Sequence, residues 1–372
     1  MTKAERDLTS SVIAAMRFPL IAAVVLSHTA FRRVYSDGVE LIGSGHAPFY
    51  QWLSQLLSGV MSHVAVAVFF IISGFLFFRS SGRSPLPLSF YGTKWSRRVR
   101  TLLVPYVMWN LLILAIYWLL QTWFPAMTHG VARPVSDYGF RDVLYSLWDM
   151  TLVDPHADGH FPVCTPMWFV RDLMVVMLCA PVLHWLVSRL RWLPVALLGV
   201  AWVLVRGNEW PGLGLMALFF FTLGAWRAID DVPLLVVKGG KQVALLVVLW
   251  GLTATLSVHF PDGSWGASLA FSVSMLLGVL AVLGIARWCH NHVAWTWPQW
   301  MAKSTFFIYG YHGIALLVFR RKFLGLLPLH GDATITLTYL LLMPAVVLVG
   351  CVLATLLRRI APHINSLLTG TR

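Results

Sequence analysis

Arg17 and His28 bracket RFPLIAAVVLSH, a run that is otherwise apolar but for one proline and one serine. Eleven residues make about three helical turns, which sets the two side chains on nearly one face, about 16 Å apart along the axis. An arginine at that depth either faces a partner or a water-filled cavity, or it reaches back to the interface while the histidine bonds a backbone carbonyl. Arg97, Arg98 and Arg100 stand in TKWSRRVRTLL. Three guanidinium forks in four residues suit the phosphates of a nucleotide-like cofactor, and equally suit a cytoplasmic loop that orients a membrane chain. In MWFVRDL, Trp168 precedes Arg171 and Asp172. Sequence neighbours on a helix do not face each other, so each of this pair is expected to have its own partner. Asp172 would bond hydroxyls or compensate Arg17, or lie at an interface. His312, near Lys303 and Tyr309, reads as a histidine satisfied in the core, and His63 and His184 as structural. DPHADGHFPVC, residues 154–164, is rich in metal-ligand types, with His156 and His160 at a spacing seen in zinc sites. It is loop punctuated by proline and glycine with no second cluster to complete a site, so no bound metal is expected.

The elements that must carry these residues follow from the medium. Of the 372 residues 58% are hydrophobic and 12% charged, with a mean hydropathy of +0.73, too apolar for a water-soluble globule of this length. Ten apolar runs are long enough, or nearly so, to cross a bilayer: 10–31, 57–78, 102–124, 167–187, 192–206, 212–229, 243–258, 265–287, 300–319 and 334–357. Backbone groups in lipid must be satisfied within the segment, so the expected fold is all-α, a polytopic protein of about ten transmembrane helices. Arg17 within the first run, and the lack of a small-residue cleavage site, argue against a cleaved signal. In the second run Ser73 and Gly74 make a polar step suited to close helix packing.

With the N-terminus inside, 17 lysines and arginines fall in cytoplasmic loops against 8 outside, which places both termini in the cytoplasm. RRKF at 320–323 is the exception and leaves the last two helices least secure. The net charge of +13 sits beside the spans without a nucleic-acid fold pattern, so anionic lipid headgroups, and not nucleic acid, are the expected partner. Four cysteines suggest no structural pair, and the absence of a repeat leaves residues 1–372 as a single membrane domain.

Together and in this order, Arg17 with His28, VAVFFIISGF (66–75), Arg97-x-x-Arg100, MWFVRDLMVVMLCAPVL (167–183) and STFFIYGYHG (304–313) resemble the acyltransferase 3 family of integral membrane acyltransferases. The resemblance spans nearly the whole chain. It implies transfer of an acyl group, often acetyl, from cytoplasmic acyl-coenzyme A to a hydroxyl of a glycan, glycolipid or lipid-linked oligosaccharide, as in O-acetylation of bacterial exopolysaccharide at the inner membrane. On this reading Arg17 and His28 are the catalytic core. His28 takes the proton of the attacking hydroxyl, with an acyl-histidine intermediate as the alternative, and Arg17 pairs with the coenzyme or polarises the thioester oxygen. Arg97, Arg98 and Arg100 would hold coenzyme phosphates while the pantetheine arm reaches inward. Ser73, Trp168, Arg171, Asp172 and His312 would serve the acceptor, with 154–164 as a loop above the cavity. A glycolipid flippase is the competing reading and would predict repeat symmetry; a sensor or scaffold would be indifferent to His28.

Overall fold

The computed structural model describes the chain except residues 1, 32–34, 37–38, 41, 43–44, 46, 126–132, 158, 206–209, 294, 327–330 and 372; the side chains of 35–36, 39–40, 317–318 and 320–326 are likewise not described. In chain order the helices are α1 (Lys3–Ser27), α2 (Pro48–Ser54), α3 (Val64–Phe77), α4 (Leu88–Arg98), α5 (Val104–Trp123), α6 (Phe140–Trp148), α7 (Trp168–Leu178), α8 (Ala180–Leu190), α9 (Leu193–Leu204), α10 (Leu215–Ile229), α11 (Gly240–His259), α12 (Trp265–His292), α13 (Gln299–Ala302), α14 (Thr305–Leu326), α15 (Asp332–Ile360) and α16 (Pro362–Thr369). A two-residue antiparallel pair, Tyr35–Ser36 with Val39–Glu40, interrupts the helical pattern.

Among the described residues six stretches are long and apolar enough to cross a membrane: Lys3–Ser27, Pro48–Phe77, Leu88–Trp123, Gly240–His259, Trp265–His292 and Asp332–Ile360. Thr165–Leu178 and Ala180–Leu190, bent by 61° to each other, make a seventh if they are one broken span. The chain is therefore a multi-pass helical membrane protein, and among the described residues six or seven of the ten expected spans are long and apolar enough to cross by themselves. The physical reason is length and charge. α9 and α10 have 12 and 15 residues, short of the ~20 that a bilayer core asks for, and α14 carries Arg320, Arg321 and Lys322.

The chain forms two compact units, Met1–Gly82 with Leu223–Thr355, and Arg83–Thr222 with Leu356–Arg372. In the first unit α1 starts on a capping box. Thr2 Oγ1 accepts from the Glu5 amide at 3.2 Å and Glu5 Oε2 from the Thr2 amide at 3.0 Å, which satisfies two otherwise unbonded N–H groups. Pro19 lies inside the helix and cannot bond the Ala15 carbonyl; Trp297 does so instead, Nε1 to oxygen 3.0 Å, with its ring 4.9 Å from that of Phe18. The second span begins nine residues before the expected 57, because the exposed amides that open α2 find a carboxylate elsewhere in the chain. Asp332 accepts from the Phe49 and Tyr50 amides, each at 2.8 Å, a favourable charge at a helix N-terminus. Between α2 and α3 the helix passes through a π turn, Gln55–Val60, and a 3-10 turn, Met61–His63. Further on, α10 meets the Ser73–Gly74 turn of α3 at Gly224, where an added Cβ would stand 2.0 Å from the Ile71 carbonyl oxygen; close backbone approach is what such a glycine allows.

In the second unit α4 runs through a π turn, Val99–Leu103, into α5 without a break, so the interval between the expected second and third spans is helical from Leu88 onward. The C-terminal α16 docks on this run. The Trp109 indole donates to the Leu368 carbonyl at 2.9 Å. Gly370, at φ +66°, lies against the Thr101 backbone, 2.7 Å from where its Cβ would be, a left-handed cap that glycine adopts without strain.

Candidate active site

His28 is the residue on which α1 ends. Its backbone leaves helical geometry (φ −106°, ψ 1°) and its amide bonds back to the Val25 carbonyl at 3.0 Å. The side chain is half-buried and lies against His312 of α14, ring centroids 5.3 Å apart and planes tilted by 34°. Arg17 is exposed, between buried Met16 and Phe18. The single stripe expected from spacing is thus divided: the histidine turns toward a neighbouring helix and the arginine outward.

His312 differs from the satisfied core histidine that sequence suggests. It is fully buried, and its Nδ1 lies 2.7 Å from the Tyr309 carbonyl oxygen and 3.3 Å from that of Ile308. Its Nε2 is buried and has no hydrogen-bond partner among the described residues. Orphaned buried polar atoms are few in folded proteins, and this one belongs to the ring that lies beside His28.

The backbone around His28 is tied on both sides. Ser58, in the π turn, donates to the Leu26 carbonyl at 2.5 Å and lies 2.8 Å from the Tyr339 hydroxyl. Thr29 Oγ1 donates to the same carbonyl at 2.8 Å. Beyond it the Tyr50 hydroxyl accepts from the Phe31 amide at 2.6 Å and donates to the Phe31 carbonyl at 3.0 Å. Ser58, Thr29, Tyr50 and Tyr339 are all buried. A π turn offsets the side chains of a helix and recurs at functional sites; here it aims Ser58 at the turn before the histidine. Ser73 is half-buried on the α3 turn that meets Gly224.

In the second unit Arg97 and Arg98 close α4 and Arg100 lies in the following π turn; Arg97 and Arg100 are exposed and Arg98 is half-buried. Trp168 is half-buried at the start of α7. Arg171 and Asp172 correct the expectation of separate partners. Both are buried, 3% and 5% exposed, and Arg171 Nε donates to Asp172 Oδ1 at 2.9 Å. They stand in the first turn of α7, where the long guanidinium reaches past the helix end to the carbonyls of Trp148 (2.6 Å) and His160 (3.0 Å) and over the Trp148 ring. Five donors on one fork let it bind two loop carbonyls and still turn Nε to its neighbour. Asp172 Oδ1 also accepts the Gly212 amide at 2.9 Å.

The histidine-rich segment is held by the same knot. His160 Nδ1 lies 2.8 Å from Asp149 Oδ2, while Thr151 donates to Asp149 Oδ1 from its amide and its hydroxyl. Burial alone would raise the Asp149 carboxyl, yet the bonds from His160 and Thr151 hold it below the usual carboxylate range. His156 contributes its amide to Asp154. No group of three or more metal-ligand residues occurs among the described residues, and Asp158 lies outside them. Sequence reasoning missed Ser58, Tyr339, Trp297 and Asp332. Pro19 within a helical run was the one available signal, since it announces a carbonyl in need of a donor.

Fold and side chains thus define a multi-pass helical membrane protein with two histidine rings side by side at the end of its first span. The chain belongs to the acyltransferase 3 family, whose acyltransferase domain matches residues 12–358, and it is an acyltransferase. It is 24% identical over 287 residues to the succinoglycan biosynthesis protein ExoH of Rhizobium meliloti (strain 1021), covering 75% of this chain and 70% of that one. No solved structure is significantly similar to it.

Proposed function

We propose that the protein moves an acyl group, acetyl first among candidates, from cytoplasmic acyl-coenzyme A to a hydroxyl of an exported glycan or its lipid-linked precursor at the bacterial inner membrane. The relative's part in succinoglycan biosynthesis and the shared family support an exopolysaccharide-type acceptor. In this reading the chain crosses ten times, with α9, α10 and α14 completing the set and both termini cytoplasmic, as the basic residues favour.

The observation that carries the reading is the half-buried imidazole of His28 at the end of the first span, beside a second histidine. A hydroxyl is a weak nucleophile at neutral pH, and a histidine can take its proton as the oxygen attacks the thioester carbon. The carbon–sulfur bond then breaks and the proton passes from His28 to the departing thiolate, giving free coenzyme and the ester. Arg17 supplies positive charge on the donor side, and Arg97, Arg98 and Arg100 bind the coenzyme phosphates. Ser73 and Trp168 contact the acceptor; Arg171 and Asp172 serve it indirectly by holding the 149–160 segment.

Purified protein incubated with labelled acetyl-coenzyme A and lipid-linked or polymeric glycan should transfer label to the glycan. His28→Ala should lower that rate by roughly 100- to 10,000-fold. A His28→Ala protein working near the wild-type rate, or a wild-type protein that only moves glycolipid across vesicles, overturns the reading.

A further inference from the structure

The two histidines invite a division of labour that their geometry specifies. In a neutral imidazole one nitrogen carries hydrogen and the other a lone pair, and the bond made by one fixes the role of the other. A carbonyl oxygen can only accept, so the 2.7 Å contact between His312 Nδ1 and the Tyr309 oxygen puts the hydrogen on Nδ1. The lone pair is therefore on Nε2. That atom is wholly buried and unpartnered among the described residues, a costly state for an acceptor unless something completes it in function. Among the described residues, the titratable rings of His28, across the interface with α1, and Tyr309, one turn back on the same helix, lie beside His312 at centroid distances of 5.3 and 6.1 Å; Tyr309 already contributes its carbonyl. Ring nitrogens stand out from their centroids, so at 5.3 Å between centroids two nitrogens that point toward each other come within hydrogen-bond reach.

We propose that His312 is the positioning partner of His28: its Nε2 accepts the N–H of the His28 ring, which puts the ring's lone pair on the other nitrogen, the one that takes the proton of the acceptor hydroxyl. The role is that of the buried acceptor which holds a catalytic histidine in one tautomer, filled here by a second, neutral histidine. When the hydroxyl oxygen forms its bond to the thioester carbon, its proton moves to the nitrogen that holds the lone pair. The N–H to Nε2 then becomes a bond from a charged donor and strengthens. The proton leaves on the departing sulfur, and His28 returns to the same tautomer with no co-reactant beyond donor and acceptor. This rests on the general-base reading above and assigns a residue that the reading does not require.

Two measurements test it. With His312→Phe, which keeps an aromatic of similar bulk but no acceptor, kcat should fall roughly tenfold or more, with the KM for donor and acceptor little changed. The acid limb of kcat should move to lower pH, because the charged form of His28 loses the bond that favours it. His312→Gln, which restores an acceptor oxygen, should recover part of both effects. A correctly inserted His312→Phe protein with unchanged kcat and an unmoved acid limb overturns the proposal, whereas loss of the base reading itself would appear as an active His28→Ala. The unaltered protein gives an independent answer through nitrogen-15 spectra of its histidines, assigned with single-site variants. His28 held in one tautomer at neutral pH supports the proposal, and His28 exchanging freely between both overturns it.

Discussion

The indole of Trp297 donates a 3.0 Å hydrogen bond to the carbonyl of Ala15, the acceptor that α1 leaves unbonded because Pro19 has no N–H. A helix break that would otherwise leave a bare carbonyl inside the first span, two residues before Arg17, is repaired from a residue 282 positions away. Trp297→Phe should therefore cost about 1–3 kcal/mol while keeping the ring against Phe18. Pro19→Ala restores the missing N–H, so the same tryptophan change made on that background should cost distinctly less. Thermal unfolding of the four proteins in detergent reads the coupling, and equal costs on both backgrounds would show that the bond carries none of the effect.

The tie between Ser58 and the Leu26 carbonyl sets where α1 ends and so where His28 begins. Ser58→Ala and Tyr339→Phe should each lower acyl transfer by roughly ten- to a hundredfold, since small displacements of a reacting group are expensive. The two changes together should do little more than the worse one, because they act on one network. Rates measured at matched amounts of inserted protein decide this; a fully active Tyr339→Phe would free the hydroxyl of any positioning role.

Arg97 and Arg100 are exposed at the junction of α4 and α5. Replacing both with glutamine should raise the KM for the acyl donor far more than for the acceptor, as expected when the lost contacts are to phosphate. Lysine should rescue only part, since an ammonium lacks the bidentate fork. Unchanged donor KM in a normally inserted glutamine variant would leave the cluster with orientation alone.

Arg171 and Asp172 form a buried ion pair that also bonds the Trp148 and His160 carbonyls and the Gly212 amide. Arg171→Leu strands the carboxylate and should destabilise the protein by about 3–5 kcal/mol, with the 149–160 segment opening first. Replacing both residues by leucine should recover part of that loss. Protease sensitivity of the segment, with the unfolding temperature, measures each step.

The proposed topology, with both termini cytoplasmic, requires the start of α4 on the cytoplasmic side and α6 on the other, with α5 crossing between them. Single cysteines at Phe90 and Tyr145, in a background without the four native ones, should react with impermeant reagents from opposite faces of the membrane. Reaction from one face would remove the cytoplasmic donor site along with the topology.

Much of this protein follows from local chemistry. Runs such as SHVAVAVFFIISGFLFF can satisfy their backbone in lipid only as helix, and the motifs around His28, Arg100, Asp172 and His312 were sufficient to place the chain in its family. What local chemistry left open were the partners of polar groups, because these come from distant parts of the chain. Spacing placed Arg17 and His28 on one stripe, but packing turned one outward and set the other against α14. The α2 start depends on Asp332, the Ala15 carbonyl on Trp297 and the Leu26 carbonyl on Ser58 and Thr29. Helical periodicity describes where side chains leave a helix axis, not what they meet; hence Arg171 folding back onto Asp172, and His312 with no partner for Nε2 among the described residues, belonged to the tertiary structure alone.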